Sequence, residues 1–408
     1  MLFYYFCPRR AKGVFILALY DGFNETEYVR DMIANDIYPY FNALSTAQDT
    51  EVMINGKSTI MLGSNNYMGM TNDPRTKQAA KDAIDKFGTG CSGSRFLNGT
   101  LTLHEELEKE LADFFGKDEA ITFSTGFQTN LGIVSALAGR FTYIFGDDEN
   151  HASLVDSTRL SFAKKYYKYR HSDMEDLESK LAFVPIDAPK LIITDGVFSM
   201  GGDIAKLPEI VALKNKYNAL LMVDDAHGVG MLGDCGRGTA NHFGLTDEVD
   251  VIMTTFSKSL GSLGGCMAAN EKIAFHVKHK SRPFIFSASI PPANAAAALC
   301  ALRILKAEPQ RRLNLLNIAE YLRQGLKGIG LDIIEAPTAI IPIYTGTAER
   351  TLHIAKRLLE EGVYVNPVLP PAVPADKCML RTSLTATHTK EQMDRAVAIF
   401  KKVFDEYK

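Results

Sequence analysis

Apolar residues fall along this chain in short runs, separated by stretches with helical spacing. EAITFS, FTYIFGD, KLIITDGV, ALLMVDD and VDVIMTT are each a few residues long, rich in Ile, Val, Leu and Phe, and bounded by Gly, Asp or Ser. Runs of that length and make-up predict buried β-strands. LPEIVALKNKY, between the third and fourth runs, spaces its apolar residues as a helix does. LTLHEELEKELADFFG, ahead of the first, reads as an amphipathic helix stopped at Gly116. Such alternation predicts an α/β fold, with a large, mostly parallel sheet and helices on both faces. Nearer the start, residues 25–47 read as a helical lead-in broken at Pro39. EVMINGKSTIML (51–62) reads as a hairpin turning at Asn55-Gly56.

The pattern changes after Pro291-Pro292. ANAAAALCALRILKAEPQ and RRLNLLNIAEYLRQGLKGIG predict two helices, AIIPIYTG and GVYVNPV short strands, and TKEQMDRAVAIFKKVFDEY a terminal helix. A smaller C-terminal α+β domain is the expectation. The division is then an N-terminal segment 1–60, a large domain 61–295 and a small domain 296–408.

With 408 residues, 46% of them hydrophobic, the chain can bury a large core and more than one domain. A net charge of −3 and the lack of a basic stripe exclude nucleic acid as an expected partner. Six scattered cysteines with no CxxC pair indicate neither a zinc site nor a disulfide framework, and point to a reduced, cytoplasmic compartment. MLFYYFCPRRAKGVFILALY is apolar, but its charges interrupt it; GVFILALY is about eight residues against the ~20 that span a bilayer. Residues 1–24 are expected to be disordered or extraneous. Membrane-surface contact ranks next, and a true signal or anchor last.

Three strand ends carry chemistry. VDDAHG delivers Asp224, Asp225 and His227; TDGVFSMGGD delivers Asp195 and Ser199; TTFSK delivers Thr255, Ser257 and Lys258. Open α/β sheets place ligands at the carboxyl ends of their strands. Each residue alone reads as an ordinary polar strand end; an acid, an imidazole and an amine converging on one point do not. Two other motifs are weaker. GVGMLG (228–233) matches GxGxxG, but the glycine-rich DCGRGTANHFG that follows lacks the helix a dinucleotide site needs. His276 and His279 in HVKH have no acidic or cysteine partner nearby and read as a basic helix face, so no metal site is expected.

An amine set among small residues has room for a planar aldehyde such as pyridoxal phosphate. That cofactor further needs a carboxylate for its ring nitrogen, N–H and hydroxyl groups for its phosphate, and a flat group over its ring. Asp224 suits the first need. FSTGFQTNLGIVSAL, which opens an apolar helix at Ser124–Thr129 with Gly126 allowing close approach, suits the second. His151 in DDENHASLVD suits the third, and Thr255 and Ser257 add hydroxyls beside Lys258.

Residues 35–405 resemble the α-oxoamine synthases, fold-type I pyridoxal-phosphate transferases that condense an amino acid with an acyl-CoA and release CO2. The motifs that carry the resemblance are GSNNYMGM (63–70), GTGCSGSRFLNGT (88–100), STGFQTN (124–130), DDENHASLVD (147–156), DGVFSMGGD (195–203), VDDAHGVGMLGDCGRG (223–238), TTFSKS (254–259), RPFIFSASIPP (282–292) and LRTSLTATHT (380–389). The resemblance implies that Lys258 bonds the cofactor aldehyde, Asp224 pairs with the ring nitrogen, His227 bonds the ring hydroxyl and His151 stacks on the ring. It implies phosphate contacts from Gly126, Phe127 and Thr255, and from Ser287 of a neighbouring subunit in a homodimer with shared sites, and a cofactor contact from Ser199. It implies that Arg381, helped by Asn65 or Asn66, holds the amino acid carboxylate. SRFLNGT, TFSKS and the lead-in YPYFNALSTAQDTEVMINGK resemble the branch that joins L-serine to a long-chain acyl-CoA, giving 3-ketodihydrosphingosine. Leu369, in VNPVLPP, stands where some members of that branch carry an arginine. Glycine with a short acyl-CoA, or cysteate, are the alternative substrates. A non-catalytic partner subunit is disfavoured by the presence of Lys258. A lipid product implies at most peripheral contact with the inner membrane.

Overall fold

The structure, a computed structural model, describes residues 26–407; the expectation for residues 1–24 lies outside the described residues. Seven strands form the main sheet: β3 (Glu119–Phe123), β4 (Tyr143–Asp147), β5 (Lys165–Tyr169), β6 (Lys190–Asp195), β7 (Leu220–Asp224), β8 (Val251–Thr255) and β9 (Gly265–Ala269). Their order is β3-β9-β8-β7-β6-β4-β5. All run parallel except β9, which is antiparallel to both neighbours. Its direction follows from its connection. Only residues 256–264 link it to β8, too few for the dozen or more that a parallel crossover takes.

Strands β6, β7 and β8 are buried along almost their whole length, as strands covered on both faces must be. The sequence pattern located these three, β3 and β4. It passed over β5, whose KYYKY is half-exposed at the sheet edge, and β9, whose GCMAA carries little hydrophobic bulk.

The hairpin β1 (Glu51–Ile54) and β2 (Lys57–Met61) turns at Asn55 and Gly56, with φ of +50° and +77°. That is the left-handed pair a two-residue turn requires. Strand β2 also pairs in parallel with β11 (Val363–Tyr364), so this early segment is stitched to the C-terminal part of the chain. There β10 (Ile340–Gly346), β13 (Cys378–Ser383) and β12 (Asn366–Val368) form a second small sheet. The helix Pro292–Ala307 packs on the helices Pro74–Phe87 and Thr102–Phe115 beside the main sheet. The last of these ends at Gly116 in the left-handed conformation (φ 65°), where the sequence placed its stop. Among the described residues, no helix is long and apolar enough to cross a membrane.

Candidate active site

The register of the sheet aligns the chemistry. Asp195 ends β6 and Asp224 ends β7, directly opposite each other. Lys258 follows the end of β8 by three residues. Two cavities meet at this edge and share His151, His227 and Lys258. The inner one, about 230 Å³, is also lined by Gly126, Phe127, Asn130, Asp224, Thr255 and Ser257. The outer one, about 380 Å³, adds Asn65, Ser199, Leu369 and Arg381. Eleven of the thirteen sequence-derived site residues therefore do not scatter: all but Asn66 and Ser287 line one continuous space.

Asp224 is buried, and both its oxygens are held. Asn130 Nδ2 donates to Oδ2 at 2.6 Å and the Ala226 N–H donates to Oδ1 at 3.1 Å. Asp195 accepts the His151 N–H at 3.0 Å, while burial and the neighbouring Asp224 raise its carboxyl well above the ordinary range. Burial pulls the Lys258 ammonium down to about 8, against the opposing pull of Asp224 and Asp195. Burial likewise lowers His151 from its ordinary value, with Asp224 opposing. The Ser153 N–H donates to His151 Nδ1 at 3.2 Å, which leaves the ring proton on Nε2.

His227 is buried, and that burial, with Lys258 and Arg381 close by, holds it well below its usual pKa and therefore neutral. Its Nδ1 lies 2.7 Å from the hydroxyl of Tyr67, a residue with no exposed surface. Tyr67 also accepts from Arg381 Nη2 at 3.3 Å. The Tyr67 hydroxyl also donates to Asn65 Oδ1 at 3.2 Å, so it ties His227, Asn65 and Arg381 together. Tyr67 and Asn130 were not among the sequence-derived residues. The first lay unremarked inside GSNNYMGM and the second inside STGFQTN; only the assembled sheet brings them to the acid and the imidazole.

The helix Gly126–Leu137 points its N-terminus into the inner cavity, with Thr125 Oγ1 accepting from Gln128 N at 3.1 Å. A Cβ on Gly126 would stand 2.7 Å from both Cβ and Oγ1 of Thr255. Glycine is therefore required where the helix end meets that strand. The arrangement offers an anion unpaired N–H groups, the positive end of a helix dipole and the hydroxyls of Thr255 and Ser257. A phosphate at the helix end, a ring nitrogen at Asp224 and an aldehyde at Lys258 fit this donor set. The residues present thus suit pyridoxal phosphate.

Two residues lie elsewhere. Asn66 turns aside, and its Oδ1 accepts from Thr71 N at 3.3 Å; of the Asn65–Asn66 pair it is Asn65 that meets Arg381, at 3.1 Å. Ser287 does not line either cavity; within its own chain it accepts at 3.2 Å from Nε2 of Gln128, in the first turn of that helix. Gly228, the first glycine of GVGMLG, and Gly238 beyond the motif share a structural explanation. Cβ atoms on Gly228 and Gly238 would stand 1.9 and 2.0 Å from the carboxylate oxygens of Asp225, which holds Thr239 through its N–H and hydroxyl. These glycines make room for a buried acid, and Asp225 braces the loop rather than facing the cavities. His276 bonds the Ala136 carbonyl, and no metal-ligand cluster occurs among the described residues.

The profile of the family described as aminotransferase class I and II matches residues 57–400. The chain belongs to that family. Within it, the chain is an α-oxoamine synthase of fold-type I. A serine palmitoyltransferase of Sphingobacterium spiritivorum is 50% identical over 92% of this chain and 94% of its own length, and one of Bacteroides thetaiotaomicron is 51% identical over 91% and 94%. An 8-amino-7-oxononanoate synthase of Thermoanaerobacter pseudethanolicus is 42% identical over 92% and 95%. Among solved structures, SPT with a PLP internal aldimine superposes with a TM-score of 0.93 at 38% identity, over 96% of this chain and 99% of that one. Sphingomonas wittichii serine palmitoyltransferase does so with the same score and coverage at 39% identity.

The depressed pKa of Lys258 makes a testable statement about the cofactor-free protein. An amine attacks an aldehyde only as the free base, so the covalent uptake rate rises tenfold per pH unit below the pKa and levels off above it. Stopped-flow absorbance with pyridoxal phosphate should show that plateau near pH 8. A rate still climbing at pH 10, as for an exposed lysine, would contradict the site.

Proposed function

We propose that this protein condenses L-serine with a long-chain acyl-CoA, such as palmitoyl-CoA, to give 3-ketodihydrosphingosine, CoA and CO2. The observation that carries the reading is Arg381. Its guanidinium is buried, with its remaining reach into the outer cavity. It donates to Ser383 Oγ at 2.6 Å, to Asn65 and Tyr67, and to the Ser199 carbonyl, all neutral groups. No carboxylate pairs with it among the described residues. Buried charges are ordinarily paired, so this cation is arranged for a carboxylate brought in by the substrate. Leu369 lines the same cavity, so position 369 supplies no second arginine. The choice of serine rests on the relatives: three serine palmitoyltransferases stand at 50–51% identity and a fourth at 44%, against 42–44% for the oxononanoate synthases.

Pyridoxal phosphate, when bound, supplies an aldehyde for the amino group and an electron sink for the charge left at Cα. Asp224, fixed by Asn130, would pair with the ring nitrogen. The helix end at Gly126 and Phe127, with Thr255 and Ser257, takes the phosphate. His227 would bond the ring hydroxyl, His151 would cover the ring, and Ser199 borders the outer cavity. Lys258, with a pKa of about 8, takes the Cα proton and returns one to the product, because it can change protonation near neutral pH. The Cα–acyl bond forms as the carbon–sulfur bond of the thioester breaks, and Arg381 holds the carboxylate until the Cα–carboxyl bond breaks and CO2 leaves.

The reading includes a homodimer. Phe96, Leu97, Phe127 and Phe286 are exposed; Phe127 lines the inner cavity and Phe286 precedes Ser287. A second copy of the chain covers such an apolar rim without solvent contact. Light scattering on the purified protein should give twice the 45.0 kDa chain mass; an active monomer would refute the shared site.

Arg381→Lys tests the substrate role. A lysine cannot reproduce two parallel hydrogen bonds to a carboxylate. Loss of one charge-assisted bond costs about 1.5–3 kcal/mol, so the KM for L-serine should rise roughly ten- to more than a hundredfold with little change for palmitoyl-CoA. An unchanged serine KM would place the carboxylate elsewhere. Preference for glycine or cysteate in direct competition would keep the chemistry and change the substrate.

A further inference from the structure

The loop that touches Arg381 is tied down from the far side by a histidine that reaches neither cavity. Residues 196–205 connect β6 to the helix Leu207–Lys216 and fold back on themselves. The Phe198 N–H donates to Asp203 O and the Gly202 N–H to Phe198 O, both at 2.9 Å, and Val197 bridges Ile204. This loop is the contact between the main sheet and the C-terminal part of the site. Thr338 Oγ1 donates to Gly202 O at 2.8 Å, and Arg381 Nε donates to Ser199 O. Its tip supplies Ser199 and Met200 to the outer cavity.

His171 stands two residues past β5. Its Nδ1 lies 2.9 Å from Asp147 Oδ1, at the end of β4, and its Nε2 lies 3.0 Å from Asp203 Oδ2, on the loop. Glu149 Oε2 faces the same ring at 3.8 Å. Ionised carboxylates only accept, so both ring nitrogens donate and the ring is an imidazolium. Burial alone would lower its pKa, but the hydrogen bonds to Asp147 and Asp203 overcome that and raise it to about 10. Phe198 packs edge-on against the ring, with centroids 4.5 Å apart. Asp147 is itself held by the N–H groups of Glu149 and Ser172, each at 2.9 Å, so the anchor is rigid.

We propose that the Asp147–His171–Asp203 bridge is a positioning device for amino acid binding. It clamps the 196–205 loop to the sheet so that the Ser199 carbonyl holds the Arg381 guanidinium facing the cavity. The proposal rests on the reading of Arg381 as the carboxylate holder. Neither His171 nor Asp203 touches the reacting atoms. Their effect passes through one backbone carbonyl.

The test uses the cofactor-loaded protein and reads the L-serine dissociation constant from the absorbance change on titration. His171→Gln and Asp203→Ala should each weaken serine about tenfold, the scale of coupling between residues in one network. Cofactor binding and the palmitoyl-CoA KM should change less than about twofold, and the two substitutions should not add. In an Arg381→Lys background, the further effect of either should fall below about twofold. Wild-type serine affinity in both variants overturns the proposal. So does an undiminished tenfold loss in the Arg381→Lys background, or loss of cofactor together with serine. A wild-type protein that responds to glycine or cysteate and not to serine overturns the serine reading alone. The same comparisons then apply to that amino acid, which carries the same carboxylate.

Discussion

Asp195 and Asp224 lie opposite each other at the ends of two neighbouring parallel strands, both out of solvent. Like charges in that position repel, and burial penalises each of them. Much of the site follows from how this is resolved. Asp224 has its oxygens held by Asn130 and a backbone N–H and lines the inner cavity. Asp195 has its carboxyl pushed upward and serves the His151 backbone. Lys258, the cation facing both, loses basicity through burial and keeps some of it through them. An amine in that balance reacts near neutral pH, which an exposed lysine does not do.

The remainder of the fold holds this pair in register and faces it with complementary groups. Strand β9 turns back through a nine-residue link, and that link carries Ser257 and Lys258 beside the helix that opens at Gly126. The C-terminal sheet brings Arg381 across from another part of the chain, and Tyr67 joins it to His227. One connected network thus runs from Arg381 through Tyr67 to His227. The loop at 196–205 lies between the two halves and bonds to both.

Much of this was legible in the sequence because parallel strands announce themselves as apolar runs and place their last polar residues at one edge. Lys258, Asp224 and His227 were found that way, His151 from the need for a flat group over a cofactor ring, and the family resemblance named the residues around them. What stayed hidden had a physical cause. Strands β5 and β9 lack the apolar signature, one being exposed at an edge and the other built of small residues. Tyr67, Asn130 and His171 sit in segments where a buried polar side chain looks like any other until its partner, 94 residues or more away in the first two cases, is in place. The pairing of β2 with β11 is equally non-local, and no local pattern marks it. The GxGxxG match, set aside because no helix follows it, has its first glycine against Asp225 and its other two against Ser259 and Asn241.

The central claim is that this strand edge binds pyridoxal phosphate through Lys258. Borohydride reduction of the loaded protein, followed by proteolysis and mass mapping, tests it directly, because reduction makes the lysine–cofactor bond permanent. The account predicts one pyridoxyl-modified peptide, with the mass added at Lys258. Modification of other lysines with Lys258 unmodified would contradict it.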